Sequence, residues 1–191
     1  MKKLLCLLCL TLAFSLNACA LDDDDKDKKE KEDKKEKVVK PKETLPICPQ
    51  VAIVRDLEVI RDYGNEKPAP DQLVAQALMK SVDGQCEYQD NGVDIKFDLS
   101  FVAGKGPRLG GLHTSFPYFI AIVDPAGKIV RKERMTEEIG FSSDSKLTDR
   151  AESLHVFLPL PKEQRQQGPN YQVLTGFQLT KEQLEDSKTI E

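Results

Sequence analysis

The chain has 191 residues, a formal net charge of −4, two histidines and no tryptophan. A mildly acidic balance lacks the basic footprint of a nucleic-acid-binding protein. The length leaves room for one ordinary domain, not two.

The first twenty residues have the three parts of a secretory leader. Lys2 and Lys3 form a positive start, residues 4–16 are apolar, and small residues follow at Ala18, Cys19 and Ala20. A spanning helix needs about 20 apolar residues; this run is shorter and gives way to charge at Asp22. The pattern Leu16-Asn17-Ala18-Cys19 resembles the lipobox of bacterial lipoproteins. That resemblance implies cleavage before Cys19, a diacylglycerol on its sulfur and attachment to a membrane through the lipid. Two or more acyl chains anchor stably where one does not. Ala20, rather than Asp, after the cysteine implies sorting to the outer membrane, facing the periplasm. The competing reading takes Ala18-Cys19-Ala20 as an ordinary A-x-A site with cleavage after Ala20. Either way Cys6 and Cys9 leave with the leader. So do Lys2 and Lys3, which takes the net charge from −4 to −6.

Residues 22–43 hold ten acidic and nine basic residues and almost nothing apolar except Val38 and Val39. Such a segment buries too little surface to offset its ordering entropy. It reads as a charged flexible tether over 19–44, with at most transient helix from acid-before-base pairs such as Asp27 and Lys31. The unspaced aspartates 22–25 in such a tether do not preform a calcium site.

Three cysteines survive processing. With Cys19 lipidated, Cys48 and Cys86 remain as a pair in an oxidising compartment, and a disulfide between them is expected. Their spacing, with His113 and His155 distant in sequence, matches no metal-ligand pattern.

From residue 45 the punctuation is that of an all-β domain. Odd-position apolar residues over 51–63 predict a first strand, followed by a loop over 64–71. Residues 73–88 predict a long bent strand with Gly84 at a bulge or a close approach. Asp90-Asn91-Gly92 is a two-residue hairpin turn. After it Val93, Ile95, Phe97, Leu99 and Phe101 alternate with polar residues, predicting one buried and one wet face. The glycines of 104–111 predict a loop; they lack the phosphate-binding order of a P-loop. Residues 116–123 predict a central strand, 124–127 a turn and 128–135 its return. Residues 139–149 are polar and read as loop, 152–160 as a strand, 161–170 as a crossover and 171–179 as the last strand. Tyr171, behind a Gly-Pro-Asn turn, resembles the tyrosine corner of immunoglobulin-type sandwiches. Thr180-Lys181-Glu182-Gln183 is a capping box, predicting one short C-terminal helix, with 186–191 a frayed tail.

Seven short strands with turns between them predict an antiparallel two-sheet sandwich over 45–185, immunoglobulin- or fibronectin-III-like; an open or closed barrel is the alternative. Cys48-Pro49-Gln50-Val51, the hairpin at 119–127 and Gly176-Phe177-Gln178-Leu179-Thr180 are similar to uncharacterised proteobacterial envelope lipoproteins. That resemblance spans about residues 46–184 and implies no catalytic residues.

No G-x-S-x-G or H-E-x-x-H motif occurs. His113 lies by the glycine-rich loop, and His155 alternates with Leu154 and Val156 and so faces solvent. No catalytic residue, metal ligand or cofactor is expected. The sequence therefore predicts a lipid-anchored module that contacts another envelope protein, with a small-ligand or glycan-binding lipoprotein as the alternative.

Overall fold

The computed structural model describes residues 44–188; the leader, Cys19 and nearly all of the tether lie outside the described residues. Eight strands form two four-stranded sheets. They are β1 (Gln50–Ile53), β2 (Val59–Asp62), β3 (Ala75–Gln89), β4 (Gly92–Lys105), β5 (His113–Val123), β6 (Ile129–Gly140), β7 (Leu147–Pro159) and β8 (Gln172–Phe177), followed by helix α1 (Lys181–Lys188). One sheet runs β1-β8-β5-β6, the other β2-β3-β4-β7.

The expected alternation is clearest in β4, where Val93, Ile95, Phe97, Leu99, Phe101 and Ala103 are all buried. They meet the inner face of the other sheet. The Phe101 ring lies edge-on to Tyr118 of β5, centroids 5.8 Å apart, and 6.1 Å from Phe177 of β8. Edge-to-face aromatic contact adds to area burial. Residues of both sheets thus share one apolar core, in a sandwich-like arrangement.

Three expectations are corrected. First, residues 51–63 are two strands, not one. β1 belongs to one sheet and β2 to the other, joined by a 3-10 turn at Arg55–Leu57. Arg55 breaks the alternation there. The Val54 amide donates to Thr175 O (2.8 Å), and the Met79 amide donates to Glu58 O (2.8 Å) on the far side of the turn. Second, the pairing is not wholly antiparallel, because β1 runs parallel to β8. Third, the loop expected over 139–149 is shorter and spans 141–146: β6 continues to Gly140 and β7 starts at Leu147. Both are outermost strands, and an edge strand carries charge along its length to discourage indiscriminate pairing. That polarity imitates a loop in the sequence.

Two residues resolve other expectations. Gly84 marks a close approach: a Cβ there would lie 3.2 Å from both Phe97 Cβ and Val51 Cγ2, while the register break falls between Met79 and Ser81. Pro117 sits in an interior strand, where a missing amide is normally costly. Its carbonyl accepts from the Gln178 amide (2.8 Å), so its backbone polar groups face the β8 side just beyond the last residue of β8. The β5–β6 ladder therefore loses nothing.

The two ends are pinned by side chains. Arg165, in the 3-10 crossover Lys162–Asn170, is 8 % exposed and donates to Gln89 O and Asp90 Oδ1, both at 3.1 Å, clamping the Asp90-Asn91 turn. The capping box forms as expected: the Gln183 amide donates to Thr180 Oγ1, and the Thr180 amide donates to Gln183 Oε1. Asp186 then meets Arg61 (3.6 Å) and the Tyr63 hydroxyl (3.4 Å) on and beside β2. Order therefore extends through 186–188, beyond the expected boundary at 185. The tyrosine that reaches upstream backbone is not Tyr171 but Tyr88, whose hydroxyl donates to Ile47 O at 2.9 Å.

Candidate functional site

One side of the sandwich is closed. The chain crosses between sheets from β1 to β2, and the Cys48–Cys86 disulfide, Cα atoms 5.6 Å apart, joins the segment before β1 to β3. The opposite side is open. There the outermost strands are β6 and β7, one from each sheet.

Side chains alternate along a strand, so the parity of buried Ile139 places Arg131, Glu133, Met135 and Glu137 on the inter-sheet face of β6. The parity of buried Leu154, Val156 and Leu158 does the same for Arg150 and Glu152 of β7. At one end these residues form a polar cluster. The Tyr118 hydroxyl donates to Glu152 Oε2 (2.6 Å), and Arg150 Nε donates to Glu137 Oε1 (3.0 Å). Glu137 is 6 % exposed and lies beside Glu152. Burial is the main cause that pushes the Glu137 carboxyl above its ordinary range; Glu152 adds to the rise and Arg150 opposes it. The fully buried Tyr118 hydroxyl is also held far above its usual value, by burial first and then by its bond to Glu152.

Further along the same side the sheets part around a recess of about 240 Å³. Ile120, Ile122, Val156 and Phe157 give it apolar walls, with Arg131, Glu133 and His155 also lining it. Arg131 pairs with Glu133. Beside it Ile129 and Val130, at the start of β6, are 54 % and 52 % exposed.

The backbone of β6 completes the site. Because the polar groups of Pro117 face β8, its partner Thr136 turns its own N–H and C=O away from β5, toward the free edge. By alternation Lys132, Arg134, Glu138 and Gly140 do the same. None of these five has a backbone partner among the described residues.

A second concavity, about 530 Å³, lies on the outer face of the other sheet. Asp83, Gln85, Lys96, Asp98, Ser153 and His155 line it. Ser153 Oγ donates to Asp98 Oδ1, and His155 contacts Asp94, so His155 faces solvent as expected.

Of the residues singled out in the sequence, Cys48 and Cys86 are joined. His113 and His155 are not brought together: His113 opens β5 opposite Gly140, and His155 pairs with Lys96 in the other sheet. Amides of the glycine-rich stretch are committed to structure, Gly106 N donating to Val74 O and Arg108 N to Leu73 O. Cys19 lies outside the described residues. The Tyr118–Glu137–Arg150–Glu152 cluster was not anticipated. Its signal was available: charges at the inward parity of apolar strands, once 136–140 and 147–151 are recognised as strand. Neither concavity is lined by Tyr118, Glu137 or Glu152, so the cluster is placed to hold the two sheets together rather than to meet a ligand there.

Comparison with protein families, with curated proteins and with solved structures finds no match.

Proposed function

We propose that the chain is a lipid-anchored cell-envelope protein whose β-domain is a non-catalytic interaction module. The observation that carries this is the free edge of β6: five alternate residues with outward-turned backbone groups beside two exposed apolar residues and an apolar recess. Edge strands of this kind recognise partners by main-chain pairing, with side-chain pockets giving specificity. The anchor is Cys19, supported by the lipobox-like Leu16–Cys19; among the described residues no helix is long and apolar enough to cross a membrane. Outer-membrane placement facing the periplasm follows from Ala20. An immunoglobulin- or fibronectin-III-like strand arrangement suits such a role, since it exposes edges and end loops.

Two measurements test this. Cys19→Ala should move the protein from the membrane to the soluble fraction; a variant that stays membrane-bound removes the anchor. Chemical cross-linking of the envelope, followed by pull-down of the tagged chain, should recover a protein partner. The double variant Ile129→Asp/Val130→Asp should lower that recovery at least severalfold.

A second reading is a small-ligand or glycan-binding lipoprotein. The 530 Å³ trough, with polar side chains on three strands, favours it. Titration calorimetry with neutral oligosaccharides checks it: heats abolished by Asp98→Ala and Ser153→Ala would move the site to that face.

A further inference from the structure

We infer that the partner of β6 is a second copy of this chain, paired antiparallel along β6 so that two four-stranded sheets become one of eight. This rests on the reading of β6 as the contact edge and names what occupies it.

The argument starts from the order of charges. Arg131, Lys132 and Arg134 dominate the first part of β6, with Lys128 just before it, and Glu137 and Glu138 the second. A uniform charge on an edge repels every copy of itself. A charge order that reverses along the strand repels a parallel copy and suits an antiparallel one.

Symmetry then fixes the register. Two antiparallel strands related by a two-fold axis place one residue opposite itself, and each residue faces one of the same parity. Centring the axis on Arg131, Lys132, Glu133, Arg134, Glu137 or Glu138 sets a charge against its own copy. Centring it on Met135 sets Glu133 against Glu137, and centring it on Val130 sets Lys128 against Lys132. Like charges directly opposite are destabilising. Centring it on Thr136 avoids all of these: Thr136 faces Thr136, and Arg134 faces Glu138 twice. Lys132 faces Gly140.

The backbone independently agrees. Thr136 turns its N–H and C=O toward the free edge, as do Lys132, Arg134, Glu138 and Gly140. In this register each of these faces another of the set, so every position is a hydrogen-bonded pair. The new ladder would hold about ten main-chain bonds. Registers centred on Arg131, Glu133, Met135 or Glu137 also pair outward groups, but they carry the like-charge clashes; centring on Ile129, Ile139 or Gly140 avoids those but overlaps only an end of the strand, with at most two of the five outward residues facing one another. Arg134 and Glu138 are exposed on the outer face of the sheet, and the Glu137 carboxyl points the other way, into the inter-sheet cluster, so the pairing leaves that cluster intact.

The test uses the full chain, expressed with its leader in a Gram-negative host. A photo-crosslinking phenylalanine analogue replaces Lys132, which would face Gly140 of the second copy. Illumination should give a product of twice the chain's mass that carries two different tags when two tagged forms are co-expressed. Arg134→Glu alone, or Glu138→Arg alone, should lower its yield at least fivefold with monomer levels unchanged. The swap R134E/E138R should restore it, which general damage to the fold would not. A cross-link to a different envelope protein, with no doubly tagged product, overturns self-pairing and leaves the interaction edge standing. No cross-link to any protein overturns both. A doubly tagged product insensitive to both single charge reversals overturns the register.

Discussion

The hydroxyl of Tyr118 on β5 donates to Oε2 of Glu152 on β7 at 2.6 Å, a polar bond between the two sheets at their open side. Tyr118 is fully buried, and its ring packs edge-on to Phe101. Replacing it with Phe keeps the ring and deletes the donor. A hydrogen bond to a charged group is worth about 1.5–3 kcal/mol, and leaving its acceptor unsatisfied in partial burial adds to the loss. Tyr118→Phe is therefore expected to lower unfolding free energy by about 2 kcal/mol, read as a shift of the urea midpoint at constant m-value. An unchanged midpoint would mean that Glu152 finds water instead.

The neighbouring carboxyl pair makes stability depend on pH in an unusual direction. Glu137 is held above the ordinary carboxyl value of 4.5, chiefly by burial, with Glu152 reinforcing and Arg150 opposing the rise. An acid whose folded pKa is raised binds its proton more tightly when folded. Its contribution is full below about pH 4.5 and is lost as pH rises through the folded value. The groups facing it are Arg150 and Glu152 from β7 and Tyr118 from β5. Urea midpoints measured from pH 4.5 upward should carry a falling component over that window. Glu137→Gln, which cannot lose a proton, should remove that component and be no less stable than the parent at neutral pH. A profile identical in both proteins would show that Glu137 does not carry this pH dependence.

How much of this was legible follows from which face each strand shows. β4 could be read directly, because it is a central strand with one buried and one wet face, and Val93 to Phe101 alternate without interruption. The hairpin turns, the disulfide pair and the capping box were legible for a similar reason: each is a local pattern with its own chemistry. The split at 51–63 was not, because apolar parity runs through it with breaks only at Arg55 and Arg61. The outer parts of β6 and β7 were hidden by their position. Edge strands carry charges on both faces, so although 128–135 reads as strand, 136–140 and 147–151 have the composition of a loop. Glu137 and Glu152 stayed invisible with them. Their burial depends on two strands from different sheets lying opposite one another, a relation between residues distant in sequence that no periodicity expresses.

The glycine-rich stretch separates structural from dispensable glycines. A Cβ on Gly106 would lie 2.1 Å from Leu73 O and 2.7 Å from Val74 O, both backbone atoms, so the chain itself must move. Nothing lies within 4 Å of a Cβ on Gly110. Gly106→Ala is expected to cost about 2–3 kcal/mol through overpacking, and Gly110→Ala less than about 0.5 kcal/mol. Thermal unfolding of the two variants side by side checks both figures. Equal effects would contradict the close approach of 106 to 73–74.

The disulfide carries the largest single expected effect. Cys48 and Cys86 are 38 residues apart in sequence, and the chain-entropy model assigns a loop of that length about 4 kcal/mol of stabilisation. The bond also sets where the chain enters the domain. Among the described residues before β1, Cys48 is bonded to β3, and the Tyr88 hydroxyl donates to Ile47 O beside it. Tyr88 in turn packs against Gly168, where a Cβ would lie 2.1 Å from its hydroxyl oxygen, so the tyrosine is confined on that side. Loss of the disulfide should therefore act twice: it widens the unfolded ensemble, and it releases residues 44–48 from the edge of β3. Cys48→Ser/Cys86→Ser is expected to lower unfolding free energy by about 4 kcal/mol. Hydrogen exchange should show faster amides at 44–48 while β4 and β5 remain protected. Unreduced protein should take up no thiol label at Cys48 or Cys86, and labelling there before reduction would overturn the assignment.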